Sequence, residues 1–271
     1  MLHISNLTIT YGTDERPALE NFSLKADNNS LIVIAGNSGS GKSTLARSFL
    51  HLLPNECKIS GAITIDDFNI NELDNQELFK KIGFLPQFPM DYILNLLVYD
   101  EIAFPLENLG YSKKEIFDKI LKILDKLKIS HLKHRIITEI SAGELQKVAL
   151  ATALITNPSI VILDEPFARM DSNSEIALIN YLKELKKNSI IIILEHHLDY
   201  ILEIADYVFF LNEGKVVFQG IPQNIISKLN ENRPEISDLH IPPDKTNYTS
   251  YKVLLKDLQD YLKKEINGRI L

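Results

Sequence analysis

The chain has almost no sulfur chemistry to offer. Cys57 is the single cysteine among 271 residues, so an internal disulfide is excluded and the pattern fits a reducing compartment. Basic charge is also short: 29 Lys and Arg stand against 36 Asp and Glu, a net charge of −7. That balance disfavours a nucleic-acid partner. Long apolar runs are missing as well. The longest, 190–194, falls far short of the ~20 residues that span a bilayer. The opening MLHISNLTIT alternates like a strand and lacks the basic start and apolar block of a signal peptide. No internal repeat and no low-complexity tract interrupts the chain. What remains is an ordinary globular balance, 45% apolar and 24% charged, at a length suited to one large domain or to one domain with an appended lobe.

Periodicity supplies the outline. LHISNLTITY reads as a strand with a broken alternation. LIVIAG (31–36) is a continuous apolar run ending in glycine, the mark of a strand buried on both faces. GAITIDD and KIGFLPQ read as short strands, PSIVILDEP and SIIIILEHH as buried ones, and DYVFFLNEGKVVFQG as a hairpin. Between Asp91 and Leu150 the pattern turns helical, with Ile116, Ile120, Ile123, Leu124 and Leu127 on one face. A second amphipathic helix is predicted through Ile176, Ile179, Leu182 and Leu185. Beyond Ile221 the chain becomes more polar, then offers a last helical face through Leu254, Leu255, Leu258, Tyr261 and Leu262.

The chemistry-bearing stretch is GNSGSGKST: Gly36, Asn37, Ser38, Gly39, Ser40, Gly41, Lys42, Ser43 and Thr44. It matches G-x-x-x-x-G-K-[ST] between a buried strand and a helix, the context that motif requires. Glycines let successive N–H groups point inward, and the helix start adds positive potential. Lys42 is expected to reach the β- and γ-phosphates of ATP, and the Ser43 hydroxyl to ligate Mg²⁺. IVILDEP then delivers Asp164 and Glu165 at a strand end, where open α/β sheets bind ligands. Asp164 is expected to hold Mg²⁺ through water or Ser43, and Glu165 to act as general base for water. An Asn/Thr-Lys-x-Asp guanine reader is absent, and neither an acceptor site nor a lid of a small-molecule kinase is identifiable.

With those parts in place, ISAGELQKVALATAL (140–154) resembles the signature motif L-S-G-G-Q/E of ATP-binding-cassette (ABC) ATPases. The resemblance covers roughly 1–220, with its motifs in the family's order. It implies an α/β P-loop NTPase (RecA-like) core. An N-terminal antiparallel β subdomain, a helical subdomain at about 88–155 and a C-terminal extension over 221–271 accompany the core. It also implies a head-to-tail pair of cassettes, in which Ser141, Ala142, Gly143 and Glu144 cap ATP held by the partner's phosphate loop. By the same resemblance Tyr11 stacks on adenine, and Gln87 touches Mg²⁺ and the attacking water. Asp171 communicates across the pair, and His196 senses the γ-phosphate, with Glu195 and His197 flanking it in the family's T-H-D positions. Three departures stand out: Ala142 replaces a signature glycine, Lys147 an arginine, and Arg169-Met170 smaller residues.

LLVYDEIAFPLENLGYSKKEI resembles the stretch after the Q-loop in energy-coupling-factor importers. Val98, Asp100, Glu101, Ala103, Phe104, Asn108, Leu109 and Gly110 carry the match; Pro105 falls where Gly is usual and Leu106 where Pro is usual. GIPQNII and ISDLHIPP resemble the C-terminal extension of the same ATPases. The implied setting is the cytoplasmic face of a membrane. The implied partners are a second cassette, a membrane scaffold subunit and a small membrane subunit that binds a vitamin or transition-metal ion. A conventional two-permease transporter and a soluble, non-transport cassette remain alternatives.

Overall fold

The structure, a computed structural model, describes residues 1–12, 14–196, 198 and 201–223. In chain order its elements begin β1 (Leu2–Thr10), β2 (Leu19–Ala26), β3 (Leu31–Gly36), α1 (Lys42–Ser48), β4 (Lys58–Ile65) and β5 (Phe68–Asn69). Next come α2 (Asn75–Lys81), β6 (Ile82–Leu85), α3 (Val98–Asn108), α4 (Lys113–Lys126) and α5 (Ala142–Leu154). The rest are β7 (Ile160–Asp164), α6 (Ser172–Leu185), β8 (Ile190–Glu195), β9 (Tyr207–Asn212) and β10 (Lys215–Gly220).

Two sheets organise the chain. One is antiparallel, in the order β2-β1-β4-β5; the other has the order β10-β9-β3-β8-β7-β6, with β9, β3, β8, β7 and β6 parallel to one another and β10 antiparallel to β9. The continuous apolar strands are buried on both faces, so their side chains divide by period two. Ile32 and Ile34 join Ile192, Leu194 and Phe209 in a core shared with the antiparallel sheet and α1. Leu31, Val33 and Ala35 join Val161, Leu163, Ile191 and Ile193 in a second core, which packs on α3, α4, α5 and α6.

Local signals explain the elements. The broken alternation of β1 is a pair of register shifts, around Leu7, with Asn6 at φ 47. Ser112 and Glu115 form a capping box at the start of α4, whose buried face is Ile116, Ile120, Ile123 and Leu124. Helix α3 contains Pro105 and still ends in a Schellman turn: Tyr111 N donates to Leu106 O at 3.1 Å, Gly110 N to Glu107 O at 2.9 Å, and Gly110 takes φ 75. The face expected for α6 needs correction. Ile176 is exposed, and Leu178 joins Ile179 and Leu182 in the buried set. Asp171 caps this helix one residue before Ser172, and the phase set there turns Ile176 outward.

Cys57 is partly exposed just before β4, in the wall of a cavity of about 340 Å³ between the end of α1 and the antiparallel sheet. No helix among the described residues is long and apolar enough to cross a membrane. The final helical face expected after Ser250, most of the extension expected over 221–271, and His197 lie outside the described residues.

Candidate functional site

The parallel sheet collects the expected residues along one edge. Its adjacent strands β3, β8, β7 and β6 end, respectively, at Gly36, at Glu195 before His196, at Asp164 before Glu165, and at Leu85 before Gln87. Pairing fixes the alignment: Ala35 lies opposite Glu195 and Asp164 opposite Leu194. Four stretches far apart in the chain thus share the carboxyl ends of one sheet, where ligands bind in open α/β folds.

The phosphate loop is shaped by close backbone approach. A Cβ on Gly36 would lie 2.4 Å from Leu211 O, and one on Gly41 would lie 2.4 Å from Ala18 O; Gly39 and Gly41 take φ 78 and 102. Asn37, Ser38 and Gly39 are exposed at the rim. Lys42 Nζ donates to Gly36 O at 2.7 Å and to Asn37 O at 3.0 Å, which holds the ammonium inside the loop. Burial pulls the pKa of Lys42 below its ordinary value, opposed by the charges of Glu165, Asp164 and Glu195. Among the described residues, only Ser40 Oγ is a buried side-chain polar atom without a hydrogen-bond partner. A glycine-lined loop with an enclosed ammonium and an orphaned hydroxyl fits an anionic phosphate chain.

Asp164 is buried, and burial raises its pKa above the usual carboxylate range; a hydrogen bond from Ser43 opposes that rise. One carboxylate and one hydroxyl leave the remaining positions of a Mg²⁺ shell to water and phosphate oxygens, as that ion prefers. Glu165 follows in the left-handed region at φ 52, its N–H donating to Leu194 O at 2.9 Å. Strain of that kind in a non-glycine residue persists where the surroundings over-determine it. His196 Nδ1 lies 3.2 Å from Oε1 of Glu165 and 3.2 Å from Oε1 of Glu195. Gln87 is half-buried at the other end of the row. Tyr11, just beyond β1, meets Thr44 through its hydroxyl at 3.1 Å, so its ring is tied to the first turn after the loop.

The signature stretch is a helix start turned to solvent. Ser141 is the N-cap of α5, and Ser141 and Glu144 complete a capping box. Ala142 is the first helical residue and is absent from the left-handed region, so the methyl group that replaces glycine there meets no backbone strain. Gly143 does need its small size, because a Cβ would lie 2.9 Å from Arg169 O. Ser141 and Ala142 are exposed. Asp171 caps α6 by accepting from Ser174 N at 3.0 Å and Ser174 Oγ at 2.7 Å, bonds that hold its pKa below the usual range.

A family model described as ABC transporter matches residues 19–168. The chain belongs to the ABC transporter family. The cassette is 35% identical over 226 residues to the energy-coupling factor transporter ATP-binding protein EcfA of Aster yellows witches'-broom phytoplasma, covering 83% of this chain and 81% of that protein. Its fold matches CbiO1 from Clostridium perfringens, described as part of the ABC transporter complex CbiONQ. That match has a TM-score of 0.71 at 29% identity over 87% of this chain and 96% of the other. It also matches the dimeric, post-hydrolysis MJ0796 cassette bound to ADP and phosphate, with a TM-score of 0.71 at 27% identity over 82% of this chain and 99% of that one. The chain spans only 39% of the length of a Methanosarcina mazei relative, a putative ABC transporter ATP-binding protein to which it is 33% identical over 232 residues, 84% of this chain.

Three further residues have roles set by contacts that the sequence alone does not show. Gln146, buried on α5, donates to Glu165 O at 3.3 Å and so ties the signature helix to the strand carrying the carboxylates. Buried Glu101 accepts from Leu94 N, Asn95 N and Asn95 Nδ2 at 3.1, 2.9 and 3.1 Å. Glu195, beside His196, is the third. A buried charge in an apolar helix or strand is the cue that marks each of the two acids.

Proposed function

We propose that this chain is the ATP-hydrolysing subunit of an ABC-type membrane transporter of the energy-coupling-factor kind, which imports a vitamin or a transition-metal ion. The observation that carries the enzymatic half is the row of strand ends. It gathers the phosphate loop, Asp164, Glu165, His196 and Gln87, while the signature helix of the same chain starts at the solvent surface. A site of that form is finished by a second cassette, identical or paralogous, whose Ser141-equivalent faces this loop. The MJ0796 dimer supports that arrangement.

In this reading the N–H groups from Gly36 to Thr44 and the Lys42 ammonium hold the ATP phosphates. Ser43, Asp164 and Gln87 would hold Mg²⁺, which would neutralise phosphate charge. Glu165 takes a proton from water as the water oxygen bonds the γ-phosphorus and the bond to the ADP oxygen breaks. Tyr11 supports the adenine. Ser141, Ala142, Gly143, Glu144 and Asp171 act across the pair. The cassette occupies 1–220, with 221–271 as an extension.

The transport half rests on EcfA and CbiO1 and on an apolar band after Gln87. Phe88, Met90, Tyr92, Leu94 and Leu96 are all exposed. Five exposed apolar side chains within nine residues suit an interaction surface, and a membrane scaffold's cytoplasmic helices are the partner proposed for it. The scaffold in turn carries a small substrate-binding membrane subunit, and the cassette lies at the cytoplasmic face of the membrane. Nucleic acid is no partner. Two measurements test the reading. Glu165→Gln is expected to abolish turnover and trap an ATP-bound pair, and unchanged hydrolysis removes Glu165 from its role. Tagged protein drawn from solubilised native membranes is expected to bring a scaffold and a small membrane subunit. Two long permease chains would point to a conventional ABC transporter, and no membrane partner would end the transport reading.

A further inference from the structure

Glu195 is a buried acid that the hydrolytic scheme above does not use. It ends β8 beside Ala35, one residue before the phosphate loop, and its side chain is 3% exposed. In the T-H-D pattern that the resemblance implies, threonine stands at this position. Its Oε1 accepts from His196 N at 2.9 Å and lies 3.2 Å from His196 Nδ1, the same separation as Oε1 of Glu165. An imidazole nitrogen has one proton to donate. If Glu165 alone received it, the carboxylate meant for water would be engaged by the ring. An oxygen already accepting a hydrogen bond from N–H is a weaker base toward water.

We propose that Glu195 is a positioning residue for hydrolysis: it takes the Nδ1–H bond of His196 and so releases Glu165 to face the attacking water. Glu195 exchanges no proton in the step. It acts through His196, fixing which ring nitrogen carries the proton and where the ring lies. Its carboxylate, drawn into the protein interior, gains the hydrogen bonds that make burial of an anion tolerable. The inference rests on the reading of Glu165 as general base.

The test uses the full chain with Glu195→Thr, which installs the residue usual in the family, and Glu195→Gln, which keeps a carbonyl oxygen in the same place. ATP affinity, KM and kcat are measured together with the side-chain ¹⁵N shifts of His196. Glu195→Thr is expected to lower kcat about ten-fold while KM and ATP affinity stay within about two-fold. The His196 Nδ1 shift moves in the same variant, and Glu195→Gln recovers most of both. Unchanged kcat and unchanged ring shifts in Glu195→Thr overturn the proposal. So does a parallel loss of ATP binding and turnover in both variants, the mark of a structural role alone. Failure of the general-base reading is separable: Glu165→Gln then retains turnover, while the effect of Glu195→Thr on the ring is read without any hydrolysis.

Discussion

At the first turn of α5 one carboxylate serves three donors. Glu144 accepts from Ser141 N at 2.8 Å, from Ser141 Oγ at 2.8 Å, and meets His131 Nε2 at 3.2 Å. The backbone bond from Ser141 leads these in pulling the Glu144 pKa from 4.5 down to about 2. The folded value is the lower one, so the contribution to stability is fully present above pH 4.5 and is lost as pH falls toward 2. Urea unfolding is expected to find wild type more stable than Glu144→Gln near neutrality, with the gap closing steadily below pH 4.5. A gap independent of pH assigns the capping bond no charged character. The same geometry commits the Ser141 hydroxyl proton to Glu144, so that hydroxyl must rotate before it could donate to a phosphate in the proposed pair. The helix start at Ser141 was legible in the sequence; the capping box that Ser141 forms with Glu144 is a finding of the structure. The role of His131 was not legible, because its contact depends on how the turn at Ser130–Leu132 packs back on the helix.

Among elements, the segment between Gln87 and α3 is held at Leu94 and Asn95 by Glu101 and at Leu96 and Leu97 by the chain at Ile136 and Ile137. Glu101, 5% exposed, anchors the backbone at Leu94 and Asn95, and that backbone presents Leu94 and Leu96 at 71% and 64% exposure. A buried carboxylate with three amide donors costs several kcal/mol to leave half-satisfied, so the loop's shape depends on it. Glu101→Ala is expected to leave ATP binding intact and to weaken recovery of the membrane partners, with ATP consumption uncoupled from uptake. Full uptake in this variant removes Glu101 from any part in docking. The helical pattern of this region was legible from its period, and the motif at 98–110 marked Glu101. Its partners were not, since they are two main-chain groups and one side-chain amide of a loop without pattern. Elements with weak pattern were missed for a similar reason. β2 carries half-buried Glu20 and exposed Asn21, Ser23 and Lys25 between its apolar residues, and α2 buries only Leu78.

Across the whole molecule, chain order and spatial order part company. The sequence meets Gly36, Gln87, Asp164 and His196 in that order, whereas the sheet sets their strands as β3, β8, β7 and β6. Each motif was legible alone, since a phosphate loop and a strand-end acid pair are local patterns. Their neighbours were not, because parallel strands pair with distant partners through crossovers. Gln146 escaped notice on those grounds, because packing brings its partner Glu165 close, and Glu195 was legible only as the residue flanking His196. The lone thiol offers a different kind of access to the assembled particle. Cys57 is partly exposed beside the antiparallel sheet, away from the strand ends. One nitroxide attached there turns the molecule into its own ruler without any substitution. In the proposed assembly, a pair of identical labelled chains is expected to return a dipolar signal whose distance shifts on adding ATP, and a pair with an unlabelled paralogue none.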